Sequence, residues 1–216
     1  MILPGSKIIV FDLDDTLYSE RDFEKSGIEF VYHNLSIKHI SLETILSNRN
    51  NWIDVIVNGS NSQISLQMVL DIYRNHFPII RLYKDAKIFL NRLLSQGIEM
   101  SLITDGRSIT QRNKLRALGI ESFFKSIVIS EEVNSSKPSE YNFLMVMKNN
   151  KHAENYIYIA DNPNKDFITP NKLGWTSICL LDRGQNVHKQ NFNISSDYLP
   201  QYLISSFEEI ILQNEK

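Results

Sequence analysis

The chain has 216 residues, 42% of them hydrophobic and 22% charged, with a formal net charge of −2 and one cysteine. That length suffices for one substantial domain plus a smaller inserted unit, at the composition of a soluble globular protein. A near-neutral charge without a basic, aromatic-interleaved stripe argues against nucleic acid and acidic membranes as partners, and no apolar run is long enough to cross a bilayer.

The first residues, MILPGSKIIVFD, have neither a basic start nor a signal-length apolar run, so the cytoplasm is the expected location. Ile8, Ile9, Val10 and Phe11 read as a short buried strand, and Asp12, Asp14, Asp15 and Thr16 follow at once. Two carboxylates about 4 Å apart repel by roughly 4 kcal/mol at an effective dielectric of 20. A divalent cation is the simplest group that would offset this; capping of a turn is the ordinary alternative for such aspartates.

Residues 17–84 change character. DFEKSGIEFVYHNL sets Phe23, Gly27, Phe30, Val31 and Leu35 at helical spacing, and SLETILSNRNNWIDVIVNG and SLQMVLDIYRNHF continue as short amphipathic helices. Ser41 and Ser65 are expected N-caps, Asn58 to Ser62 a surface loop, and Pro78 the end of the last helix. The block is expected to be a helical insert.

From residue 85 onward the pattern alternates. Helices are expected over KDAKIFLNRLLSQG, SITQRNKLRALG, SEYNFLMVMKN and KDFITPNKLG, the first two stopped by Gly97 and Gly119. Strands are expected over IEMSLITDG, running into a turn, and over SIVIS, NYIYIADN and WTSICLL, where Cys179 has no intrachain partner and a packing role. Ser205 and Glu208 read as a capping box opening a final helix from Phe207 to about Leu212. Strand–helix alternation of this kind predicts an α/β fold: a Rossmann-like parallel sheet flanked by helices, with residues 1–16 and 85–216 as the core and 17–84 inserted.

Asp12, Thr104 and Asp161 then fall at the carboxyl ends of expected strands, and Lys137 in the loop after another. That edge is where open α/β sheets bind ligands. Taken singly, each has an ordinary structural role: a strand threonine, a solvated lysine, a helix-capping aspartate. Taken together, they suit hydrolysis of a phosphate monoester through an acyl-phosphate. In that chemistry Asp12 is the nucleophile, and Mg²⁺ on Asp12 and Asp161 screens its approach. Thr104 and the amides around Asp105 and Gly106 donate to phosphoryl oxygens, and Lys137 stabilises charge. Asp14, on the same strand face as Asp12, serves as acid and base, with Asp166 orienting Lys137 or a metal-bound water. The Asp105 side chain, itself anionic, is expected to point away from a phosphate.

These motifs resemble those of the haloacid dehalogenase-like hydrolase superfamily. FDLDDTL resembles its first motif, LITD its second, SSKPS its third and IADNPNKD its fourth, in the family's order, over about Ile8 to Leu181. The resemblance implies Asp12 as nucleophile, Asp14 as general acid/base and Thr104 as phosphate ligand. It implies Lys137 as charge stabiliser, and Asp12, Asp161 and the main-chain carbonyl of Asp14 as Mg²⁺ ligands. The insert resembles the subclass I cap, in which Tyr18, Arg21 and Lys25, and outside it Arg107, are candidates to face substrate. Ala160 departs from the glycine common before the fourth-motif aspartate. The expected activity is an Mg²⁺-dependent phosphatase acting on a small phosphorylated metabolite. A phosphomutase using the same carboxylate pair is the alternative. A receiver-like phospho-acceptor module shares the acids, Thr and Lys, but the inserted helices and the acids after IADN fit it badly.

Overall fold

The computed structural model describes residues 2–3, 7–60, 63–151 and 153–212. A two-residue strand β1 (Ile2–Leu3) precedes β2 (Lys7–Phe11), which is buried along its whole length. Four helices follow: α1 (Glu20–Asn34), α2 (Leu42–Ser47), α3 (Trp52–Gly59) and α4 (Leu66–Asn75). The chain then alternates through α5 (Lys84–Ser95), β3 (Met100–Thr104), α6 (Ser108–Leu118), β4 (Phe124–Ile129) and a single turn α7 (Ser130–Val133). It closes with α8 (Glu140–Asn149), β5 (Asn155–Ala160), α9 (Ile168–Lys172), β6 (Thr176–Leu180), β7 (Tyr202–Ile204) and β8 (Ile211–Leu212).

Six strands form one parallel sheet in the order β4-β3-β2-β5-β6-β7. β2 is central because its residues are apolar on both faces, as a strand covered by helices on each side must be. Ile9 and Phe11 pack with Phe89, Leu93 and Leu115 from α5 and α6, whereas Ile8 and Val10 pack with Phe143 and Val146 of α8 and with Trp175. The chain runs outward from β2 through β3 to β4, then returns to the other side of β2 to start β5. That reversal opens a crevice at the carboxyl ends of β2 and β5.

Helices α1–α4 hold an apolar cluster of their own, built on Ile28, Val31, Ile45, Trp52, Ile56 and Val69. Ser41 and Ser65 cap α2 and α4 by accepting the Thr44 and Met68 amides, as their sequence positions predict. Gly27 lets α1 approach α4, since a Cβ there would lie 2.3 Å from the Tyr73 ring. Phe30, expected on the buried stripe, is 43% exposed, and Ser26 and Ile28 are buried instead. The four helices leave and rejoin the core side by side: Tyr18 and Leu82 form an antiparallel bridge, and the Tyr83 amide donates to the Leu17 carbonyl at 2.9 Å.

Several expectations are corrected. The segment after Ser205 is not a helix to Leu212. It is one 3₁₀ turn, Phe207–Glu209, whose capping box is Ser206 with Glu209, one residue later than expected. Ile211–Leu212 then pairs with Ile2–Leu3 as a parallel ribbon, a better use of apolar residues than an exposed helical turn. β7 had no expectation. Asn58 and Gly59, expected in a loop, belong to α3, and the Asn61 and Ser62 end of that loop lies outside the described residues.

Candidate active site

Asp12 is the first residue beyond β2, and its amide donates to the Ile159 carbonyl of neighbouring β5 at 3.0 Å. The backbone then turns sharply at Asp15, held at φ 56°, a left-handed conformation that Asp tolerates better than most residues. The Asp15 carboxylate fixes the turn by accepting the Glu20 amide at 2.8 Å and the Val187 amide at 2.7 Å. Thr104 ends β3, Asp161 follows β5, and Lys137 sits in the loop before α8, its amide donating to Asp105 at 3.0 Å. The sheet thereby brings Asp12, Thr104, Lys137 and Asp161 to one rim.

Lys137 is buried and makes paired contacts: its Nζ lies 2.6 Å from Asp12 Oδ1 and 2.7 Å from Asp166 Oδ1, and donates to the Tyr158 hydroxyl at 3.2 Å. Burial works against its charge, but Asp12 and Asp166 outweigh that and hold the ammonium well above its ordinary value. Thr16 Oγ1 donates to the other oxygen of Asp12 at 3.3 Å. Oxygens of Asp12, Asp161 and Asp166 lie within 4.8 Å of one another. Burial pushes Asp12 up to about 6 despite Lys137. It pushes Asp161 well above the carboxylate range, and the Asp12 and Asp166 charges add to the effect. Burial of ionised carboxylates beside one another is costly, and a cation among them would offset that cost. Three buried oxygen donors at this spacing fit a hard divalent cation.

Asp14 points elsewhere. Its Oδ1 accepts from Lys114 Nζ at 2.7 Å and from the Tyr18 hydroxyl, and its Oδ2 accepts from Gln111 at 2.9 Å. Burial raises its pKa, but Lys114 and these hydrogen bonds outweigh burial and hold it below the usual carboxylate value. Gln111 also donates to Thr104 Oγ1 at 2.5 Å, tying the second motif to the first. The Asp105 carboxylate accepts the Lys137 amide and pairs with Lys165 at 3.1 Å. Gly106, at φ 143°, donates its amide to Ser130 Oγ at 2.8 Å, so that N–H has a partner within the protein.

A pocket of about 90 Å³ opens between these groups, lined by six carboxylates (Asp12, Asp14, Asp15, Glu20, Asp105 and Asp161) together with Thr104, Asn162, Lys165 and His188. Of the residues raised from the insert, Tyr18 reaches the site through Asp14. Arg21 donates to the Asn186 carbonyl at 3.3 Å, and Lys25 pairs with Glu29 along the same helix at 3.8 Å. The sequence reading missed Gln111, Lys114, Lys165, Asn186 and His188. Asn186 donates to Asp161 at 2.7 Å from 25 positions away, and no local pattern announces such a contact. Gln111 and Lys114 are buried polar residues one turn apart on α6, on a face that is ordinarily apolar.

A family model for haloacid dehalogenase-like hydrolases matches residues 9–180. The chain is 26% identical to a glyceraldehyde 3-phosphate phosphatase of Methanocaldococcus jannaschii over 95% of each chain. It is 32% identical to a phosphoserine phosphatase of Thermus thermophilus over 51% of this chain and 43% of that one. Its fold is similar to the magnesium-bound HAD-hydrolase YfnB of Bacillus subtilis, with a TM-score of 0.66, 19% identity, and 94% and 96% of the two chains covered. The parallel sheet, the crevice at its carboxyl edge and the matched 9–180 segment together make this chain a haloacid dehalogenase-like hydrolase.

Proposed function

We propose that the protein is an Mg²⁺-dependent phosphatase of a small phosphate monoester that works through an aspartyl-phosphate on Asp12. The observation that carries this is the contact of Asp12 Oδ1 with the buried Lys137 at 2.6 Å, beside Asp161 and Asp166 in the sheet's crevice. Relatives named as phosphatases of small phosphorylated compounds support the reaction class.

In the first half-reaction an Asp12 oxygen forms a bond to phosphorus as the bond from phosphorus to the alcohol oxygen breaks. Lys137 lies against the attacking carboxylate and offsets charge on the transferring group. Thr104, whose Oγ1 accepts from Gln111, donates its hydroxyl proton to a phosphoryl oxygen. The departing oxygen needs a proton, and the aspartyl-phosphate then needs an activated water; Asp14 takes both roles. Held ionised by Lys114, Asp14 is ready as the base of the second half, and loosening of that bond accompanies its protonation before the first. Asp12, Asp161 and the Asp14 carbonyl would hold Mg²⁺, with Asp166 beside them; bound there, the ion screens charge between nucleophile and phosphate. Helices α1–α4 act as a cap that shields this chemistry from bulk water.

Purified protein with Mg²⁺ is expected to release inorganic phosphate from a panel of phosphorylated metabolites. Asp12→Asn is expected to lower that release at least about a thousandfold while circular dichroism stays unchanged. Persisting turnover in the variant would remove Asp12 as nucleophile. Isomerised sugar phosphate in place of free phosphate would turn the reading toward a mutase.

A further inference from the structure

The catalytic pocket is too small to hold a whole substrate. Its volume of about 90 Å³ falls well short of the roughly 300–1,000 Å³ that small-molecule sites span. A second cleft of about 480 Å³ adjoins it. Chain neighbours line the two at two places: Glu20 the catalytic pocket and Arg21 the cleft, His188 the pocket and Val187 the cleft. A phosphoryl group on Asp12 would leave its alcohol portion outside that pocket, and this cleft is a space beside it.

Both sides of the cleft carry one charge of each sign. Arg21 and Glu24, three residues apart on α1, share a helical face. Opposite them stand Arg49, in the 3₁₀ turn before α3, and Asp54 in the first turn of α3. Among the described residues, Glu24, Arg49 and Asp54 make no ion pair or side-chain hydrogen bond with the protein, while exposed pairs elsewhere on the surface do close, such as Lys125 with Glu99 at 2.6 Å. Arg21 spends one N–H on the Asn186 carbonyl and keeps the rest of its fork open. Two guanidinium groups and two carboxylates that leave one another unpaired across a cavity complement a ligand carrying both a carboxylate and an ammonium.

We propose that the cleft between α1 and α3 is the leaving-group site and that it takes a small zwitterionic alcohol, so that the substrate class is phosphate esters of amino-acid-like compounds. The proposal rests on the phosphatase reading. It assigns the arginines to the carboxylate and the acids to the ammonium.

Four esters of small alcohols carrying different charges test it: O-phosphoserine (both charges), 3-phosphoglycerate (carboxylate only), phosphoethanolamine (ammonium only) and glycerol 3-phosphate (neither). With Mg²⁺ and full-length protein, kcat/KM for phosphoserine is expected to exceed that for glycerol 3-phosphate at least tenfold, the two singly charged esters falling between. Arg49→Ala is expected to lower the ratio of 3-phosphoglycerate to phosphoethanolamine turnover at least fivefold, and Glu24→Ala to raise it. A glycerol 3-phosphate rate equal to or above that of phosphoserine overturns the assignment while leaving the phosphatase standing. An unchanged ratio in both variants, with thermal midpoints showing them folded, overturns it as well. No phosphate released from any of the four, nor from a wider ester panel, sinks the phosphatase reading and this one with it.

Discussion

Lys137 touches two carboxylates that differ in what they can do. Asp12 opens on the pocket, while Asp166 is wholly buried, accepts the Asn162 amide at 3.0 Å and lies beside the Tyr158 hydroxyl. The lysine is thus pinned from behind so that its charge is presented in front. Glu20 shows the opposite situation, an acid in the pocket wall that makes no ion pair among the described residues. Burial, and after it the Asp14 charge, push Glu20 up to about 8. An acid whose value is raised by folding binds its proton more tightly in the folded state. Its contribution is therefore full below about pH 4.5 and is lost as pH rises through 8. Glu20→Gln, measured in chelator, is expected to gain stability over the parent between pH 5 and pH 8. Parallel melting curves for the two proteins across that range would show that Glu20 ionises freely in the fold.

At the scale of elements, the strands and most helices of the core were legible because their apolar runs, serine caps and terminal glycines all agree. Gly119 shows this: α6 ends where the glycine takes a left-handed φ of 70°. The segment after β6 was not legible, since β7 and β8 are short strands defined by partners distant in sequence. Half of the candidate site could be read from strand-end residues, whereas Lys114, Lys165 and Asn186 reach it only through tertiary packing. Asp85 illustrates a tie that no local pattern shows. From the first turn of α5 it holds Arg183 through two bonds of 2.9 and 2.6 Å, the Ser206 hydroxyl at 2.9 Å and the Phe207 amide at 3.0 Å. Burial opposes its charge, but these partners outweigh burial and hold it at about 2. A value lowered by folding contributes above the unfolded pKa and is lost as pH falls, here between about pH 4 and pH 2. From that shift Asp85→Asn is expected to cost about 2 kcal/mol at pH 7 in urea unfolding, with the difference shrinking toward zero near pH 2. A constant difference across that range would assign the cost to packing.

Across the whole molecule, the fold concentrates negative charge at one edge of a sheet whose interior is apolar. A ligand that binds only the folded state and neutralises that edge must stabilise the protein. With Mg²⁺ as the proposed ligand, free ion a hundredfold above its Kd is expected to add about 2.7 kcal/mol, or about 5–10 °C for a chain of this size. Asp161→Asn removes one of the mutually repelling acids, so it is expected to melt above the parent in chelator and to lose the Mg²⁺ increment. An equal increment in both proteins would take Asp161 off the ligand set. The paired connectors at Tyr18 and Leu82 carry a consequence of their own. The phenol bonded to Asp14 belongs to one of those two connectors, where the helices join the core. On the proposed phosphatase reading, any shift at that connector reaches the carboxylate assigned to the proton transfers directly, through the Tyr18 hydroxyl.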